Sequence, residues 1–117
     1  MDNYEKIINH SFIENYQNKK IILDLNLSVE IIKDIINKNY KKNYICVCGT
    51  SAHKVYKIKN FLNKIDTIIL NKQESLTLTK KKTIKNSMNY LIKKNKKLNI
   101  IITNGKNAVN AYLNQQI

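Results

Sequence analysis

Four short apolar runs, with helical periodicity between them, decide what this chain of 117 residues can fold into. The runs are Ile21 to Leu23 (within Lys19 to Asp24), Tyr44 to Cys48, Thr67 to Leu70, and Leu98 to Thr103. Each has the length and apolar composition of a strand buried on both faces. Between them, apolar residues recur three and four apart, as in Val29, Ile32, Ile35 and Ile36. Val55, Ile58, Phe61, Leu62 and Ile65 repeat the pattern, as do Ile84, Met88, Leu91 and Ile92. Such alternation predicts a parallel sheet with right-handed crossovers. The expected class is α/β: a doubly wound, mostly parallel, three-layer αβα arrangement. No repeat and no Pro/Gly linker breaks the pattern, so residues 1–117 read as a single domain, or part of one.

Local signals place the boundaries. Ser28 is a good N-cap for a helix from Val29 to about Lys38. Asp66 ends the second helix, and a polar stretch from Asn71 opens the next helical turn. Lys80 to Asn95 reads as a lysine-rich helix, and Asn104 to Asn107 as a turn. Ala108 to Leu113 fits either a short helix or an edge strand. Met1 to Gln17 carries Tyr4, Ile7, Ile8, Phe12, Ile13 and Tyr16 at the spacing of an amphipathic helix, either continuous or broken near Ser11.

Charge narrows the partners. The net charge is +13, and all 21 basic residues are Lys. Arginine, the residue of bidentate phosphate and guanine recognition, is absent. Lysines spread along the whole chain, beside Asn and Ile in similar numbers, fit a solvated surface better than a nucleic-acid face. The seven tyrosines are scattered and form no stacking platform, so an RNA-binding module is the weaker alternative. No apolar run approaches the ~18 residues of a membrane span. Cys46 and Cys48 are too close in sequence to staple a fold, and two further ligands for zinc are not in sight. They read as small buried hydrophobes of a reduced, cytoplasmic protein.

Candidate chemistry gathers where strands end, because open α/β sheets bind ligands outside the carboxyl ends of their strands. Asn71 and Glu74 leave the third run; the plain reading is a helix cap, the functional one a polar pair facing a ligand. Thr103 and Gly105 leave the fourth, where a glycine lets backbone N–H groups approach a phosphate. Asp24 and Asn26 leave the first and also fit an Asx turn before Ser28. Lys54, at a helix start, either faces an anion or is solvated.

These residues carry a resemblance. Thr50, Ser51, Ala52, His53 and Lys54, a helix, a strand and then the Asn71-x-x-Glu74 motif resemble the ribokinase-like (PfkB) carbohydrate kinases, and among them most closely the pseudouridine kinases. The likeness runs from about Ile21 to Val109. It departs at Leu70, where the family has Pro, and at Ala108, where the Thr-x-Gly-x-x-Gly signature has its second glycine. The resemblance implies ATP and Mg2+ as cofactors, with a sugar or nucleoside hydroxyl as phosphoryl acceptor. It implies Asn71 near the phosphates and Glu74 toward the ion through water. Thr103, Asn104, Gly105, Lys106 and Ala108 would lie along the nucleotide. Asp24, Asn26 and Lys54 would lie on the substrate side. The family's Gly-Ala-Gly-Asp segment, which supplies an anion hole and the catalytic base, has no match here, and neither does its N-terminal sugar-binding and lid part. The expectation is therefore a partial kinase domain without a catalytic residue of its own, complemented by another chain or paired as a homodimer. The alternative is a non-catalytic remnant with a weak nucleotide site.

Lysine without arginine predicts weak, non-specific binding to duplex DNA or RNA, with dissociation constants of roughly 10⁻⁴ to 10⁻⁶ M at physiological salt. Nanomolar, sequence-selective binding in a fluorescence anisotropy titration would contradict it.

Overall fold

The computed structural model describes residues 19–106 and 109–114. Strand β1 (Lys20–Asp24) leads to helix α1 (Val29–Asn39) and strand β2 (Tyr44–Cys48). A 3-10 helix, η1 (Ala52–Lys64), then precedes strand β3 (Thr67–Asn71). Helices α2 (Lys72–Thr79) and α3 (Ile84–Lys94) follow, then strands β4 (Asn99–Thr103) and β5 (Asn110–Tyr112). The five strands form one sheet in chain order, β1-β2-β3-β4-β5. The first four are parallel, as the alternation predicts, and β5 runs antiparallel along β4. The ambiguous Ala108 to Leu113 stretch is thus an edge strand where it is described.

Local chemistry sets each helix end. Ser28 caps α1 by accepting from the Ile31 amide at 3.3 Å. Lys80 closes α2 in the left-handed region (φ 58°), and Thr83 caps α3 by accepting from the Asn86 amide at 3.1 Å. The lysine-rich helix therefore begins at Ile84 and not at Lys80: a left-handed residue and a new cap divide the predicted run in two.

Strands in chain order with right-handed crossovers place their connecting helices on one face of the sheet. Burial follows that rule. Leu23, Ile45, Val47, Ile68, Leu70, Ile100 and Ile102 alternate along the strands and are all 0–1% exposed. They pack with Ile32, Ile35 and Ile36 of α1, Val55, Ile58 and Leu62 of η1, Leu78 of α2 and Leu91 of α3. The opposite face is different. Ile22 is 71% exposed, and Cys46, Cys48, Ile69 and Ile101 are half-buried. The amphipathic helix expected over Met1 to Gln17, which a second helical layer calls for, lies outside the described residues.

A polar network closes the amino-terminal end of that second face. The Tyr44 hydroxyl bonds Thr67 Oγ1, and Asn99 Nδ2 donates to Tyr44 Oη at 3.1 Å. Asn99 Oδ1 accepts from the Asn114 amide at 2.7 Å, tying the end of β5 to the start of β4. Asp66 does the same between β2 and β3, its Oδ2 accepting from the Ile45 amide at 2.8 Å. The cysteines correct the expectation of full burial, because they point to the thinly covered face. Partial burial still pushes the Cys46 thiol up, from an ordinary 9.0 to about 11, and the neighbouring Cys48 adds to it.

Two outcomes follow. Ile68→Ala, which opens a cavity in the middle of the buried row, is expected to cost about 2–5 kcal/mol in urea unfolding. The raised thiol has its own signature. Below about pH 9 folded and unfolded chains both hold the Cys46 proton; between there and about 11 only the folded chain does. Stability is therefore expected to fall over that window, and the fall should be shallower in Cys46→Ala.

Candidate functional site

Register brings the candidate residues together in two groups along the carboxyl edge of the sheet. Asn71 and Thr103 are direct cross-strand partners at the ends of β3 and β4. Asp24 and Cys48 are partners at the ends of β1 and β2. All four strands open toward the same edge, the expected ligand side of a parallel sheet.

In the first group, Asn71 and Glu74 form a capping box. Asn71 Oδ1 accepts from the Glu74 amide at 2.7 Å, and Glu74 Oε1 accepts from the Asn71 amide at 2.9 Å. Two donors at the start of α2 are satisfied reciprocally, as an Asn-x-x-Glu sequence allows. The plain reading of the pair is therefore realised. It does not use up the side chains, however. With Oδ1 turned into the helix, the amide of exposed Asn71 has its Nδ2 donor left to offer a ligand. Glu74 is 4% exposed and has committed one oxygen to the cap. Beside them, Thr103 and Asn104 are half-buried and Gly105 and Lys106 exposed. Gly105 has φ +57° with open space around it, so the backbone twist, not crowding, calls for glycine. Ala108 lies outside the described residues.

The second group is a clamp on the loop after β1. Asp24 Oδ1 accepts from the Asn26 amide at 2.9 Å, the Asx turn its spacing allows. Lys54 Nζ donates to Asn26 Oδ1 at 2.6 Å, so the three residues that the resemblance puts on the substrate side do meet. Sequence reasoning passed over two further members. Lys57 Nζ donates to the Leu25 and Leu27 carbonyls at 3.0 and 2.9 Å. Thr50 Oγ1 accepts from the Leu25 amide at 3.0 Å. No spacing rule marks a lysine that satisfies carbonyls of a distant loop, so neither contact was legible beforehand.

Gly49 joins the two groups and was the other omission. Its amide donates to the Ile69 carbonyl at 2.9 Å. A methyl group on its Cα would stand 2.5 Å from Glu74 Oε1 and 2.8 Å from Leu70 Cδ2. The glycine is there so that the carboxylate can lie against the end of β2. One of only two glycines in the chain, placed at a strand end, was the available signal. Among the described residues no group of three or more His, Cys, Asp or Glu could hold a metal ion.

No family model matches the chain, and no curated protein matches it in sequence. Solved structures do share its fold. A carbohydrate kinase from Agrobacterium tumefaciens superposes with TM-score 0.75 at 20% identity, over 94% of this chain and 35% of its own. A fructokinase from Vibrio cholerae O395, solved with fructose, ADP and calcium ion, gives 0.70 at 11%, over 91% and 39%. An adenosine kinase from Sinorhizobium meliloti gives 0.66 at 12%, over 96% and 35%. The fold is ribokinase-like, and the chain spans little more than a third of the length of these structures.

The contact at Gly49 generates a prediction. Gly49→Ala is expected to displace Glu74, shift the Asn71 amide resonance, and cost about 1–3 kcal/mol. Loss of the cap in Asn71→Ala costs about 0.5–2 kcal/mol. In the double variant the two effects should fall short of additive, because both break one contact. An unmoved Asn71 amide in Gly49→Ala would show that the carboxylate does not depend on the glycine.

Proposed function

We propose that this chain carries the nucleotide-binding part of a kinase that phosphorylates a sugar or nucleoside hydroxyl with ATP, pseudouridine being the favoured acceptor. The observation that carries the reading is the pairing of Asn71 with Thr103 at one sheet edge, beside the left-handed Gly105. The kinase fold of the superposing structures supports it, as does the ADP named in the fructokinase structure.

The residues present fit the nucleotide. Asn71 Nδ2 is a donor suited to phosphate oxygens, Lys106 supplies an exposed positive charge, and the Thr103–Lys106 turn offers backbone N–H groups. Magnesium, which keeps several waters and bridges phosphate oxygens, would neutralise charge there. Glu74 has one oxygen beyond the cap with which to orient such a water. Its main work is to hold Asn71. Asp24, Asn26 and Lys54 form the wall toward the acceptor, their loop fixed by Lys57 and Thr50. No residue here is assigned as catalytic base. The anion hole and the base would come from a complementing chain or a second copy, so binding without turnover is expected of this chain alone.

A second reading rests on the capping box itself: the pair caps α2, and the domain is a remnant that holds no nucleotide. One substitution separates the two. Aspartate caps a helix as well as asparagine does, yet it exchanges the Nδ2 donor for negative charge. Titration of the parent chain with Mg-ATP, followed by amide chemical shifts, should give a dissociation constant of about 1 mM, near −4 kcal/mol. The shifts should fall on residues 71–75 and 103–106. Asn71→Asp should keep its stability and lose at least about tenfold in affinity, a difference of about 1.4 kcal/mol. No binding at several millimolar would favour the remnant, and unchanged binding in Asn71→Asp would show that the nucleotide sits elsewhere than at Asn71.

A further inference from the structure

The lysines are spread along the sequence, but the fold gathers several of them at the edge of the sheet opposite the candidate site. In a parallel sheet every connection that enters a strand arrives at the amino-terminal edge, so the loops before β2, β3 and β4 lie side by side there. Side-chain bonds lock these loops together. Lys64 Nζ donates to Asn37 Oδ1 at 3.0 Å, joining the end of η1 to the end of α1. Asn95 Nδ2 donates to the Leu62 and Ile65 carbonyls at 2.9 and 3.0 Å, joining the loop before β4 to the same end of η1. On this frame Lys41, Lys42, Lys94 and Lys96 are exposed. Negative charge is scarce around them. Among the described residues, Asp24, Glu30 and Glu74 belong to the other edge. Asp34 pairs with Lys38 at 3.2 Å, and Asp66 accepts from the Ile45 amide. At the carboxyl edge, by contrast, Lys54 and Lys57 are committed to the loop after β1.

An aromatic ring stands among the lysines. Tyr40, the residue that ends α1, is 37% exposed. The Lys41 and Lys64 ammonium groups lie 5.5 and 4.9 Å from its ring centroid. We propose that this edge binds single-stranded nucleic acid: an unpaired base stacks on Tyr40, and Lys41, Lys42, Lys94 and Lys96 meet the flanking phosphates. A cation over an exposed ring is held weakly and a stacked base more firmly, so a lysine displaced from the ring can turn to a phosphate. A duplex offers the same lysines its phosphates but no open base. With one ring and no arginine, the surface distinguishes single from double strands and reads no sequence. The weak duplex binding expected from the lysine composition is the charge part of this interaction without the stacking part.

Fluorescence anisotropy of the full chain with a labelled oligouridylate of about 16 nucleotides tests the assignment. Replacing Lys41→Gln, Lys42→Gln and Lys96→Gln together should weaken binding at least about tenfold at physiological salt. The slope of log affinity against log salt should fall by about 2, from about 0.7 for each lost phosphate contact. Lys33→Gln with Lys82→Gln and Lys85→Gln removes the same charge from exposed lysines elsewhere. At physiological salt it should change affinity less than about threefold, because distant charges are screened. Tyr40→Ala should weaken binding at least about fivefold with an unchanged salt slope, whereas Tyr40→Phe should bind like the parent. Circular dichroism of each variant should match the parent, since all these side chains are at the surface. Equal losses in the two lysine triples, a duplex bound as tightly as the single strand, or no binding by the parent at about 0.1 mM would overturn the proposal. So would vesicles of equal parts phosphatidylserine and phosphatidylcholine that lose binding in the first triple while the oligonucleotide does not, since the partner would then be a membrane.

Discussion

The structure depends on a constraint of parallel pairing. A parallel strand cannot be reached by a tight turn, so each step from one strand to the next needs a crossover. In this chain β1 to β4 are taken in sequence order, and every crossover is helical. Two consequences follow at once. The connecting helices share one face and bury its alternating isoleucines, leucines and valine. The four carboxyl ends open at one edge, where each strand hands over to a loop. The position of the candidate site is a product of the connectivity, before any side chain is considered.

What the side chains add is rigidity at that edge. The Asn71–Glu74 box starts α2, and Gly49 admits the Glu74 carboxylate against the end of β2. On the other side, Lys54, Lys57 and Thr50 fix the loop after β1 through one side-chain oxygen, two carbonyls and one amide. A capped helix and a ligand site are often treated as rival explanations of one motif. In the proposed site they draw on different atoms, because Oδ1 of Asn71 is the cap and Nδ2 is the donor to spare. The cap is what gives that donor a fixed direction.

Much of this was legible in the sequence. The strand runs were short, apolar and evenly interleaved with helical periods, so the parallel sheet and the four strand ends followed directly. That Asn71 and Thr103 open on one edge followed from parallel strands, whereas their direct pairing rests on strand order and register, which the pattern does not carry. Less legible was the break at Lys80 to Thr83, because a lysine in the left-handed region has no sequence mark. The cysteines were read as buried, since alternation alone does not say which face of a strand is covered. The clamp by Lys57 and the space made by Gly49 are tertiary contacts between residues distant in sequence, which periodicity and capping rules do not reach.

The central claim is that the β3 and β4 ends form one nucleotide-phosphate site. Manganese takes the same oxygen ligands as magnesium and broadens nearby resonances. The direct measurement is therefore paramagnetic relaxation with substoichiometric Mn-ATP. The account predicts that the amides of residues 71–75 and 103–106 broaden together, and that free manganese at the same concentration does not reproduce the pattern. Broadening confined to one of the two loops, or identical broadening by manganese without ATP, would contradict it.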